Sequence, residues 1–90
     1  NLKVIHECLA LGVKILITVD CGISAIEPVA HGMSNGIDII VTDHHSIPKT
    51  LPPAFAILNP KQHDCGYPEK EIVGTVVAYK LLSALMTVIT

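Results

Sequence analysis

Ile37-Asp38-Ile39-Ile40-Val41-Thr42, followed at once by Asp43-His44-His45, is the stretch from which the rest of the chain can be read. The run opens after the turn pair Asn35-Gly36, is β-branched and is too short for a helix, so it predicts a buried strand. Three titratable groups then stand where that strand ends. In open α/β sheets the carboxyl ends of the strands are where ligands bind. An imidazole offers a neutral nitrogen ligand to a divalent metal, and a carboxylate offers an oxygen ligand or a hydrogen bond that orients a neighbouring ring. The plainer alternative has Asp43 capping a turn and both histidines as polar loop residues. An acid and two imidazoles together at one strand end favour a metal or catalytic site.

Upstream lies a second run of the same kind, Val13 to Val19, interrupted only by Lys14 and Thr18 and ending at Asp20-Cys21-Gly22. Before it, Leu2, Ile5, Leu9 and Leu11 have helical spacing, closed by Gly12 at the C′ position. Between the two runs, Ser24-Ala25-Ile26-Glu27 fits a capping box for a helix reaching about Asn35. Pro28 would sit better at the first helical position, which would move the cap to Glu27. After the histidines come the stiff Leu51-Pro52-Pro53 and a third apolar run, Ala54 to Leu58. A loop from Lys61 to Lys70 follows, and from about Gly74 helical spacing returns at Val77, Lys80, Leu81 and Leu85.

Apolar strands alternating with helices predict an α/β fold, a parallel sheet with helices on both faces. In such a sheet Asp20 and Asp43-His44-His45 fall at the same edge, on neighbouring strand ends, where an Asp and a His can serve one metal. The chain has ninety residues, 50% hydrophobic and 16% charged, enough for at most one small domain. A net charge of −2 leaves no electrostatic footprint for nucleic acid or an anionic membrane. A polyanionic substrate would therefore be held by metal ions or by basic residues outside this stretch. Cys8, Cys21 and Cys65 are odd in number and lack CxxC spacing, which argues against a disulfide framework or zinc ribbon and for a reducing, cytoplasmic setting. There is no membrane-length apolar run and no signal-peptide pattern. Asn1 opens straight into a helical pattern without Met and the tail is still apolar at Thr90, so a fragment of a longer chain or a truncated gene is expected.

At these residues the chain resembles the DHH phosphoesterase superfamily, and within it the RecJ-like single-strand-specific exonucleases. Asp43-His44-His45 is similar to the motif that names the superfamily, and Leu16-Ile17-Thr18-Val19-Asp20-Cys21-Gly22-Ile23-Ser24 to the acidic motif before it. The discriminating part lies downstream: Leu51-Pro52 with Ala54, Asn59-Pro60-Lys61, Cys65-Gly66-Tyr67-Pro68 with Lys70, and Gly74 through Val77-Ala78-Tyr79-Lys80-Leu81. The resemblance implies a two-metal phosphodiesterase, using Mn²⁺ or Mg²⁺, that releases nucleotides from the 5′ end of single-stranded DNA. It makes Asp20 and His44 direct metal ligands, with Asp20 bridging two ions. It turns His45 toward the scissile phosphate and leaves Asp43 to fix an imidazole. It implies that residues 1–90 are a piece of the DHH catalytic domain, inactive alone. An upstream Asp-x-Asp pair, a later aspartate ligand and a C-terminal substrate-binding domain would all lie outside it. The family pattern usually has a second glycine where this chain has Val76, and a β-branched residue would obstruct any close backbone approach there. Two other readings are a DHH phosphoesterase for small substrates (an oligonucleotide or pyrophosphate) and a degenerate, non-catalytic fragment. The Asn-Pro-Lys segment argues against the first.

Other polar residues have plainer explanations. Cys8, Cys21 and Cys65 with His6, His31 and His63 match no zinc spacing, so buried structural thiols are expected, with Cys21 packed under its turn. Gly22 is expected to supply a positive φ. Lys61 and Lys70 read as solvated loop lysines at least as well as phosphate contacts, and Gly74-Thr75 could offer helix N–H groups to an anion.

Overall fold

The computed structural model describes residues 1–63, 65–68, 70 and 73–89, the last two by their backbone alone. Along the chain come α1 (Leu2–Ala10), β1 (Ile15–Val19), α2 (Ile26–Ser34), β2 (Asp38–Thr42), β3 (Ala56–Leu58) and α3 (Gly74–Ile89). The three strands form one parallel sheet in the order β1-β2-β3. The α/β class with a parallel sheet is as the sequence predicts.

Each strand starts later than its apolar run, for a hydrogen-bonding reason. At the end of α1, Gly12 N–H donates to Leu9 O at 3.1 Å and Val13 N–H to Cys8 O at 3.0 Å, with Gly12 at φ 75°. These two bonds satisfy the last helix carbonyls. Val13 is thereby taken into the helix cap, and β1 begins at Ile15. After α2 the same pair recurs, Gly36 N–H to Met33 O at 3.3 Å and Ile37 N–H to Gly32 O at 3.0 Å, and β2 begins at Asp38. At β3, Ala54 N–H is spent on Pro52 O at 2.9 Å, which delays the strand to Ala56.

The capping box expected at Ser24 is not formed. Ala25 N–H donates to Gly22 O at 3.0 Å in a turn, so α2 starts one residue later with Ala25 as N-cap and no side-chain cap. Pro28 then falls at the third helical position, where its missing N–H removes the donor that a cap side chain would have bound.

Paired residues in a parallel ladder face the same way. The register sets Leu16 beside Ile39, Thr18 beside Val41 and Val41 beside Ile57. This face packs under α1 and α2, where Ile5, Val29, Ile37, Ile39 and Val41 form the buried core. Burying each such side chain contributes roughly 1.5–3 kcal/mol before entropy is counted. α3 contacts β1 and β2 with Val77 buried outside that cluster, which puts it on the other face. The α3 side of β1 is only partly covered: Ile15, Ile17 and Val19 are 61%, 41% and 51% exposed. No helix among the described residues is long and apolar enough to cross a membrane.

Candidate metal centre

The register brings the site together. Val19 pairs with Thr42, so the residues that follow, Asp20 and Asp43, leave the sheet side by side. Asp20 N–H donates to Thr42 O at 2.9 Å and Asp43 N–H to Leu58 O at 3.0 Å, which extends the ladder past each strand. Two threonines, Thr18 read in sequence only as a polar interruption and Thr42 only as the end of its strand run, tie the ends together. Thr42 Oγ1 donates to Thr18 O at 2.5 Å, and Thr18 Oγ1 donates to Cys21 O at 2.8 Å. A polar β-branched residue one or two places before each strand's acidic end was the available signal.

Asp20 has φ 63°, the one positive φ at a non-glycine among the described residues. Its half-exposed carboxylate lies 2.8 Å from His44 Nε2. Asp43 is the opposite case, 1% exposed and fully occupied. Its Oδ2 accepts from Ile23 N–H at 3.1 Å. Its Oδ1 accepts from His44 N–H at 2.8 Å and His45 N–H at 3.3 Å, and lies 2.5 Å from His45 Nδ1. Burial pushes the carboxyl pKa up, but the His45 ring and the three backbone N–H groups outweigh it and hold the pKa below the usual carboxylate value. The imidazole that Asp43 fixes is therefore that of His45. The His45 ring is largely exposed and sits 4.5 Å, centroid to centroid, from that of His44.

Asp20, Asp43, His44 and His45 each present a donor atom within 4.8 Å of the others. Two ligands about 2.1 Å from one ion lie ~3 Å apart, close to the Asp20–His44 separation of 2.8 Å. The carboxylate and imidazole set thus fits a divalent ion.

The remaining sequence expectations fall on both sides. Gly22 has φ 106°, as expected, and a Cβ there would meet Thr18 Oγ1 at 3.2 Å and Val41 at 3.4 Å. Those neighbours already close the underside of the turn, so Cys21 is exposed instead of packed beneath it. All three cysteines are free, Cys8 and Cys65 half-buried, and no zinc-type group forms among the described residues. His6 and His31 do meet, edge-on at 5.2 Å. Lys70 is half-buried, and its Nζ donates to Cys65 O at 2.6 Å.

The tight backbone approach that would penalise a side chain falls at Gly74, not at position 76. A Cβ on Gly74 would lie 2.6 Å from Asp20 Cα, whereas Val76 is 37% exposed. The first residue of α3 therefore rests directly on the strained aspartate, with no room for a methyl group. Gly74→Ala should force α3 away from Asp20 and cost about 1–3 kcal/mol, as overpacking does. Denaturant titration checks this, and a Val76→Gly control should leave the midpoint near or below wild type.

The N-terminal domain of the DHH family matches residues 2–89. The chain belongs to the DHH family. Within this DHH chain, 85 residues are 46% identical to the single-stranded-DNA-specific exonuclease RecJ of Escherichia coli K12, covering 94% of this chain and 15% of that protein. The same exonuclease from Haemophilus influenzae is 44% identical over 85 residues, again 94% and 15% of the two chains. The DHH chain therefore spans about 15% of the length of the curated relatives it matches. Its fold superposes on a crystal structure of exonuclease RecJ bound to manganese with TM-score 0.79 at 34% identity, covering 97% of this chain and 22% of that one. RecJ from Thermus thermophilus in complex with Mn²⁺ gives TM-score 0.78 at 35% identity, covering 97% and 13%.

Proposed function

We propose that residues 1–90 are a segment of the catalytic domain of a cytoplasmic, metal-dependent exonuclease that releases nucleotides from the 5′ end of single-stranded DNA, within DNA repair and recombination. The observation that carries this reading is the meeting of Asp20 and His44, 2.8 Å apart, at the carboxyl edge of a sheet that matches manganese-bound RecJ. Asp20 and His44 would hold the metal. Mixed carboxylate and imidazole ligands suit Mn²⁺ better than Mg²⁺. A bound pair of ions supplies a clamp on the attacking and leaving oxygens of an in-line displacement and an activated water. Further acidic ligands, and a basic surface to offset the net charge of −2, would come from outside residues 1–90.

The protein's own groups do the rest. Asp43 accepts from His45 Nδ1, so Nε2 is the nitrogen left to face a phosphate oxygen, as donor or as acid in the protonated ring. Asp43 is anionic at neutral pH, its pKa held below the usual carboxylate value, and its bond to Nδ1 keeps that ring orientation fixed.

The test is nucleotide release by the full-length protein with Mn²⁺ from single-stranded DNA, duplex DNA and pyrophosphate. The expected result is mononucleotides from the 5′ end of single strands. Preference for pyrophosphate would overturn the assignment. His45→Ala should cut turnover by about 10³-fold, the scale of a lost acid or base, with Mn²⁺ affinity changed less than about threefold. A parallel loss of Mn²⁺ binding would instead make His45 a ligand. Residues 1–90 alone are expected to release nothing.

A further inference from the structure

Asn59 follows β3 at the same sheet edge as the DHH residues, is 2% exposed and makes two different bonds. Its Oδ1 accepts from Lys61 N–H at 2.9 Å, closing a local turn of the kind Asn and Asp both make. Its Nδ2 donates to the backbone oxygen of His45 at 2.9 Å, across 14 residues of chain. Asp could form the turn, but with no donor it cannot form the second bond.

We infer that Asn59 is a positioning residue: by fastening the carbonyl of His45 it fixes where that imidazole meets the scissile phosphate. This rests on the role given to His45 above. His45 is held at three points. Its N–H and ring Nδ1 both go to Asp43 Oδ1, and its C=O goes to Asn59. The first two lie on the amino side and on the ring. Only the third stops the peptide after His45 from turning and carrying the ring with it. His44 depends on Asn59 far less, being tied through its own N–H to Asp43 and through Nε2 to Asp20. The turn at Asn59 also has other support. Gln62 N–H donates to Asn59 O at 3.2 Å, and Gln62 Nε2 to Ile57 O at 3.1 Å. Changing the Asn59 side chain therefore loosens His45 while leaving the turn and the metal ligands in place.

The test uses Asn59→Asp, which keeps the acceptor for Lys61, and Asn59→Ser, which removes the long-range donor without adding charge. In the full-length protein both should lower the single-turnover rate on single-stranded DNA by about 10²-fold, the cost of misplacing a reacting group by ~1 Å. Mn²⁺ affinity, measured by titration, should move less than about threefold. In a His45→Ala background, Asn59→Asp should produce no further loss, because the residue acts through a ring that is gone. Additive losses in that double mutant, Mn²⁺ affinity falling with the rate, or an unchanged rate would each overturn the inference. If the wild-type protein releases no nucleotide, the exonuclease reading fails. Crystal structures then decide the positional claim, and an unshifted 44–46 backbone in Asn59→Asp overturns it.

Discussion

Asp20→Ala in the full-length protein is expected to abolish nucleotide release, with a loss of about 10⁴-fold that saturating Mn²⁺ does not restore. The size follows from the role. The role proposed for Asp20 is to hold the metal, the charge stabilisation a bound metal would supply is several kcal/mol, and each ~1.4 kcal/mol is a factor of ten in rate. Water cannot take the place of that carboxylate, and His44 Nε2 loses its partner at 2.8 Å. A single-turnover assay over a range of Mn²⁺ concentrations reads the effect. An Asp20→Ala protein within tenfold of wild type would remove Asp20 from the site.

Asp43→Ala should do its damage through the fold. The substitution strips the acceptor from the N–H groups of Ile23, His44 and His45 and from the His45 ring, all at a residue 1% exposed. A buried donor left without a partner costs roughly 1–3 kcal/mol, so a destabilisation of about 3–5 kcal/mol is expected, a large share of a domain's margin. Denaturant unfolding with matched slopes reads this out, and a change below about 1 kcal/mol would contradict the hydrogen-bond network. The same carboxylate makes stability depend on pH. Its folded-state pKa is lowered, so its contribution is complete above the unfolded value near 4 and is lost as pH falls through the lowered one.

What could be read from sequence was whatever depends on short-range pattern. β-branched runs announced β1 and β2, and an acid or acid–imidazole group at the end of each of these two announced the shared edge. Strand starts were hidden because the helix ends claim Val13 and Ile37 through hydrogen bonds that leave no mark in hydrophobicity. No pattern distinguished which imidazole Asp43 would hold, since His44 and His45 are adjacent and the choice depends on how the chain turns after β2. Asn59 and Gly74 gave no sign of their contacts because their partners, His45 and Asp20, are distant in the chain. The exposure of Ile15, Ile17 and Val19 depends on what lies over β1, which the strand's own residues do not encode.

The left-handed backbone of Asp20 limits what evolution or a mutagenesis library could place there. A φ of 63° admits glycine easily, tolerates asparagine and aspartate, and disfavours other side chains by roughly 1–2 kcal/mol. The role proposed for Asp20 in the metal site calls for a carboxylate, which only the two acids carry. Glutamate meets the second demand and fails the first, asparagine the reverse, and glycine offers the chain conformation with no ligand at all. The neighbouring Gly74 leaves no slack for the backbone to relax toward a commoner conformation. One amino acid lies in the overlap of the two permitted sets, so selection for catalysis from a fully randomised codon 20 should return aspartate alone.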